Sequence, residues 1–121
     1  MDEFDLIRKY LVPISSNESQ FLSNDGAVFK PKMNLDYVVS TDTIVEKIHF
    51  NGNELPELIA KKALRTNLSD LAAMGADPEF YSLSISLPKE KAESFIKNFA
   101  KGLEEDQKEY RIKLLGGDLT A

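Results

Sequence analysis

Asn67-Leu68-Ser69-Asp70-Leu71-Ala72-Ala73-Met74-Gly75-Ala76 reads as the end of a helix. Gly75 has the place of a left-handed closing residue, and Pro78 comes soon after. Upstream, Pro56 is placed to start this helix, and Ala60, Leu64, Leu68 and Leu71 make its apolar stripe. Ala63, Asn67, Asp70 and Met74 form a second stripe beside it, so Asn67 and Asp70 share a face. One carboxylate, Asp70, therefore stands among leucines and alanines. A charge set against a core is costly unless something neutralises it.

The pattern on either side of this helix sets the expected fold. Asp36 to Glu46 is β-branched and alternates, with Tyr37, Val39, Thr41, Thr43 and Val45 on one face. Phe80 to Leu87 alternates as well, placing Tyr81, Leu83, Ile85 and Leu87 opposite Ser82, Ser84 and Ser86. Lys89 to about Lys108 has helical spacing at Ala92, Phe95, Ile96, Phe99 and Leu103. A last strand begins at Ile112 and runs into Gly116-Gly117-Asp118. Before all of these come a helix from Glu3 to Val12, closed by Pro13, and a short strand at Ala27-Val28-Phe29. The expected class is α+β: a small, mixed or antiparallel four-stranded sheet with helices on one face.

The whole chain has 121 residues, enough for one domain with a real core. No apolar run approaches the roughly 18 residues of a membrane span. The acidic start, Met1 to Asp5, is unlike a secretory or mitochondrial leader, so the expected setting is cytoplasmic. There is no cysteine, which excludes disulfides and thiolate chemistry, and the single histidine is His49. A net charge of −5 argues against a nucleic-acid surface but is compatible with nucleotides bridged by Mg²⁺.

Most acids, among them Glu90, Glu93, Glu104, Glu105, Asp106 and Glu109, alternate with lysines on a helix and read as a solvated face. Four aspartates differ: Asp25 at a strand entry, Asp42 inside a strand, Asp70 in an apolar helix end, and Asp118 after two glycines. Taken one at a time, Asp25 and Asp118 can be turn residues, Asp70 an exposed helix position and Asp42 an edge-strand charge. Taken together they suit hard divalent cations, with oxygen from Ser40 or Thr41. Gly116-Gly117 allows positive φ or the close approach of a ligand. His49 is either a structural histidine or a phosphate donor.

Three segments then carry a resemblance. Ser40 to Glu46 with His49-Phe50, Lys62-Ala63-Leu64 followed by Asn67 to Ala76, and Leu114 to Asp118 are similar, in order and spacing, to segments of the thiamine-monophosphate kinase family. That family belongs to the aminoimidazole-ribonucleotide synthetase superfamily. The resemblance implies the N-terminal ATP/Mg-binding domain of that fold over residues 1–121, dimerising through its sheet, with a second α/β domain absent from the chain. It implies transfer of the ATP γ-phosphoryl group to thiamine monophosphate, giving thiamine diphosphate. Several Mg²⁺ ions would be held by Asp25, Asp42, Asp70 and Asp118, with Ser40 and Thr41 assisting. Gly117 and Asp118 would lie at the ATP phosphates and His49 at thiamine monophosphate, with no catalytic group beyond the metal ligands.

The chain departs from the family at Asn24, where a carboxylate is usual, at Leu119 within the glycine motif, and at Ala100. Two other readings stand beside the kinase. One is another ATP-dependent member of the superfamily, of the selenophosphate synthetase or hydrogenase-maturation type. The other is an isolated dimerisation domain, without turnover of its own.

Overall fold

The computed structural model describes residues 2–23, 26–39, 43–45, 54–86 and 92–120. Helix α1 (Glu3–Leu6) starts at Asp2, whose side chain accepts the Asp5 N–H. It continues through a wider turn at Ile7–Leu11 and a tighter one at Val12–Ile14. Pro13 thus does not stop the helix as expected; it sits at the start of that last turn, where its missing N–H is not needed. Strand β1 (Thr43–Val45), helix α2 (Pro56–Ala73), strand β2 (Phe80–Ser86), helix α3 (Ala92–Tyr110) and strand β3 (Lys113–Thr120) come next.

The strand order is β1-β2-β3, and both pairings are parallel. The expectation of a mixed or antiparallel four-stranded sheet is corrected here: among the described residues there are three strands, all parallel. The reason is in the connections. Each successive pair of strands is joined through a helix of 18 or 19 residues, and a crossover of that kind returns the chain in the same direction. Ala27-Val28-Phe29 is not a strand, although the Val28 N–H donates to the Glu18 carbonyl at 2.9 Å. Asp36 to Val39 is also outside the sheet, with Val39 87% exposed; of the long strand expected over Asp36 to Glu46, Thr43–Val45 is the part described as strand.

Alternation along β2 survives intact. Tyr81, Leu83 and Ile85 are buried, while Ser82, Ser84 and Ser86 are half-buried. The buried set packs with Ala60 and Leu64 of α2 and with Phe99 and Leu103 of α3 in one core. Successive right-handed crossovers in this strand order place both helices on the same face. In accord with this, α2 and α3 pack directly against each other. Gly102 makes their approach possible: a Cβ there would lie 2.5 Å from the Glu57 carbonyl oxygen and 2.8 Å from its Cα. Gly102→Ala is expected to cost about 2 kcal/mol by pushing the helices apart, measurable by urea unfolding.

A second surprise lies in the same interface. Asp106, expected on a solvated face, is 1% exposed. It accepts two bonds from Arg65 of α2, from Nε at 3.0 Å and from Nη2 at 3.1 Å. The fork of the guanidinium matches the carboxylate, which makes this pair more directional than a lysine pair. One turn away, Lys61 Nζ lies 2.8 Å from Glu105 Oε2. The hydrogen bond from Lys61 holds the Glu105 carboxyl below its ordinary value of 4.5. A depressed carboxylate stabilises the fold above its unfolded pKa and loses that contribution as pH falls through the folded one. The pair is exposed, so its contribution is small and screened by salt. Asp106→Asn is expected to lower the melting temperature by several degrees, whereas Glu105→Gln is expected to leave it nearly unchanged; thermal denaturation at neutral pH compares the two.

Gln107 completes the closure. Its Oε1 accepts from the Tyr81 hydroxyl at 2.5 Å, and its Nε2 donates to the Ile14 carbonyl at 3.0 Å. Burial pushes the Tyr81 phenol far above its ordinary range, so it remains a donor at every ordinary pH. The N-terminal segment also reaches the outer edge of β3, where the Ser16 N–H donates to the Leu114 carbonyl at 2.8 Å. Among the described residues, no helix is long and apolar enough to cross a membrane.

Candidate functional site

The final strand carries the glycine motif. Between Tyr81 and Ser82 the register of β2 against β3 slips: Tyr81 pairs with Leu114, but Ser82 pairs with Gly116, leaving Leu115 as an extra residue. Such a bulge bends its strand and turns the side chains beyond it to a new direction. Leu83 then pairs with Gly117, and Ser84 with Asp118. Paired residues in a parallel sheet share a face, so Asp118 lies on the serine face, away from the two helices, and it is exposed.

Gly117 has φ +153°. A Cβ placed there would overlap the Leu83 carbonyl oxygen and lie 2.6 Å from the carbonyl carbon. Of the two expectations for this glycine, the positive φ is found, and the group that its backbone approaches closely is the adjoining strand. Gly116, by contrast, has open space where its Cβ would be.

A cavity of about 470 Å³ opens beside this strand end. Its walls include Leu22, Gly26, Ala27, Ser84, Gly117 and Asp118. The turn just after Asp25 and the glycine motif, some ninety positions apart in the chain, thus border one space. Asp25 itself lies outside the described residues, as do Ser40, Thr41, Asp42 and His49.

Asp70 is placed differently. The end of α2 closes as expected: Gly75 has φ +67°, its N–H donates to Ala72, and the Ala76 N–H donates to Leu71, both at 2.9 Å. Within that helix, Asn67 is buried and its Nδ2 donates to the Ala63 carbonyl at 3.3 Å, while Asp70 is exposed. The shared stripe of Asn67 and Asp70 therefore straddles the edge of the core, and the burial cost anticipated for Asp70 does not arise. Asp70 is not among the walls of the cavity that holds Asp118. Among the described residues, no group of three or more carboxylates or histidines is close enough to hold a metal ion. The donors that are described, Asp70 and Asp118 with Ser84 beside the latter, are oxygen groups, the chemistry that hard divalent cations take.

The aromatic residues around the end of α2 escaped the sequence reading. Phe29 lies 5.7 Å from Tyr37 and 5.6 Å from Phe80 between ring centroids. They border a second cavity of about 680 Å³. The signal was present in Phe29, Tyr37 and Phe80, but strand assignments absorbed all three.

A three-stranded parallel sheet with two crossover helices packed together on one side carries a glycine-aspartate strand end on the other. The chain belongs to the family described as AIR synthase related protein, N-terminal domain, which matches residues 23–121. It is similar to thiamine-monophosphate kinase of Haemophilus influenzae, with 40% identity over 123 residues, covering 99% of this chain and 37% of that protein. The thiamine-monophosphate kinase of Escherichia coli is 36% identical over 121 residues, again covering 37% of that protein. The chain thus spans little more than a third of the length of these curated relatives. Among solved structures, the thiamine-monophosphate kinase of Stenotrophomonas maltophilia superposes with a TM-score of 0.72 at 38% identity, covering 82% of this chain and 31% of that one.

Proposed function

We propose that this chain is the nucleotide- and metal-binding part of a phosphotransferase that moves the γ-phosphoryl group of ATP to thiamine monophosphate, giving thiamine diphosphate. The observation that carries this reading is the meeting of the Gly26-Ala27 turn with the Gly116-Gly117-Asp118 strand end around one cavity. It occurs in a chain whose similar proteins bear the name thiamine-monophosphate kinase. Phosphoryl transfer asks little covalent chemistry of a protein and depends on positioning and charge neutralisation. A chain with one histidine and no cysteine is suited to that task.

In this reading Asp118 and Asp70, with Asp25, Asp42, Ser40 and Thr41, would hold several Mg²⁺ ions, whose charge would screen the nucleotide phosphates and offset the charge that develops on transfer. Gly117 lets the strand end lie flat beside β2, and so positions Asp118 at the mouth of the cavity. His49 would donate to the phosphate of the acceptor. The acceptor oxygen already belongs to a phosphate, so no strong general base is needed. The same proposal includes a cytoplasmic setting, a further domain supplying the rest of the site, and a homodimer formed through the sheet.

A chimera tests the assignment. This chain replaces the matching part of the Haemophilus influenzae relative, and thiamine diphosphate formation from ATP and thiamine monophosphate is measured. Turnover within about ten-fold of the parent is expected. A folded chimera that binds ATP yet transfers nothing to thiamine monophosphate would remove the reading.

A further inference from the structure

Three successive residues that carry side chains, Gln20, Phe21 and Leu22, have φ of +55°, +59° and +56°. A Cβ disfavours this left-handed conformation, so the turn is strained at each of the three. Ser23 then returns to the right-handed region. A second cost lies at the start of the same turn. Ser16 has the extended backbone of a helix-capping residue, φ −76° and ψ 163°, yet its side chain caps nothing. Its hydroxyl is buried and, among the described residues, has no hydrogen-bond partner. A buried polar group left in that state is costly.

Both costs vanish in one alternative conformation. With Gln20, Phe21 and Leu22 right-handed, residues 17–23 become about two turns of ordinary helix. Ser16 Oγ then accepts the Ser19 N–H, three residues on, as a capping serine does. In such a helix the Glu18 carbonyl accepts from the Leu22 N–H. In the structure that carbonyl accepts instead from the Val28 N–H, at 2.9 Å. Leu22 and Val28 are thus rival donors to one acceptor. The Val28 bond, together with the packing of Leu22 against the core, holds the strained form in place. Ser19, Leu22, Gly26 and Ala27 also wall the cavity of about 470 Å³ that Gly117 and Asp118 border. The strained turn therefore carries one side of that cavity.

We propose that residues 16–23 are a two-state switch coupled to the cavity. In the strained state Leu22 and Ala27 stand against the cavity. In the relaxed state, helical and capped by Ser16, Leu22 withdraws and the cavity opens. A ligand that packs against Leu22 and Ala27 selects the strained state and offsets its strain. That this ligand is Mg·ATP rests on the proposed function; the two conformations rest on the turn alone.

Hydrogen exchange at the Val28 amide reads the switch, because its bond to Glu18 belongs to the strained state. It is followed by NMR on the 121-residue chain. Phe21 is 73% exposed, so its side chain can be removed without opening the core. Phe21→Gly favours the left-handed turn and weakens the helix, whereas Phe21→Ala keeps the Cβ. Exchange at Val28 is expected to be about ten-fold slower in the glycine variant than in the alanine variant. Ser16→Ala removes a cap that only the relaxed state uses, and is expected to slow exchange several-fold relative to the parent. A serine that merely packs the turn would give the opposite sign. Saturating Mg·ATP is expected to slow Val28 exchange about ten-fold in the parent, and less in Phe21→Gly. Exchange in Phe21→Gly as fast as in Phe21→Ala, or faster exchange in Ser16→Ala, would overturn the switch. Binding of Mg·ATP, seen as shifts at Gly117 and Asp118, with Val28 exchange unchanged would overturn its coupling to the cavity. Absence of Mg·ATP binding, with the variants in the expected order, counts against the phosphotransferase reading and leaves the two-state turn standing.

Discussion

Gly117→Ala is expected to destabilise the chain by about 3 kcal/mol or more, one of the largest effects any single methyl group could have here. The new Cβ would need to occupy the place of the Leu83 carbonyl oxygen. No rotamer relieves this contact, because both partners are fixed to the backbone. Either β3 separates from β2 beyond the bulge, or the chain gives up the pairing of Gly117 through Thr120. The same alanine one residue earlier, at Gly116, meets nothing within 4 Å and is expected to shift stability by less than about 1 kcal/mol. Chemical denaturation of the two variants side by side makes the comparison. Similar midpoints would mean that the two strands do not approach each other as described.

The second large effect concerns charge. In the chimera that restores the full length of the relatives, Asp118→Asn is expected to reduce phosphotransfer by about 10²-fold or more, with the melting temperature held within a few degrees. Asparagine keeps the shape and one acceptor oxygen but removes the charge a divalent cation needs. Asp118 is exposed on the serine face, so the fold does not depend on it. Asp70→Asn is expected to act in the same direction, again with the fold intact, since that side chain is also exposed. Raising Mg²⁺ is expected to restore part of the lost rate if the aspartates act through the ion. Near-parental turnover in both variants would count against their metal role.

The helices and β2 were legible because their periodicities are strong and local. The stripe of α2, its closing Gly75 and the serine row of β2 all stand where spacing places them. The direction of the strands was not read correctly, although the information was there. Strands separated by long helical patterns demand crossovers, and crossovers demand parallel neighbours. Asp106 was misjudged for a different reason. Its neighbours Glu105 and Lys108 are exposed, and nothing nearby in the sequence points to Arg65, 41 positions earlier. Long-range pairing of that kind becomes visible only once α2 and α3 are packed. Of the candidate site, the positive φ allowed for at the glycine pair is found at Gly117, and Asp118, singled out as a metal ligand, lies exposed beside it. The aromatic cavity was missed because each ring was assigned to a strand, and two of the three lie outside any strand.

The amide of Gln107 joins the Tyr81 hydroxyl to the carbonyl of Ile14, and through it the last third of the chain holds the first fourteen residues in place. Those residues precede the portion, 23–121, by which the family is recognised. Yet Leu6, Leu11 and Ile14 lie in the same core as Phe99 and Leu114. The stretch that the family description matches and the unit that folds together therefore have different borders. Cutting at the first would leave the second open along the edge of β3, with Gln107 and a row of core side chains turned toward water.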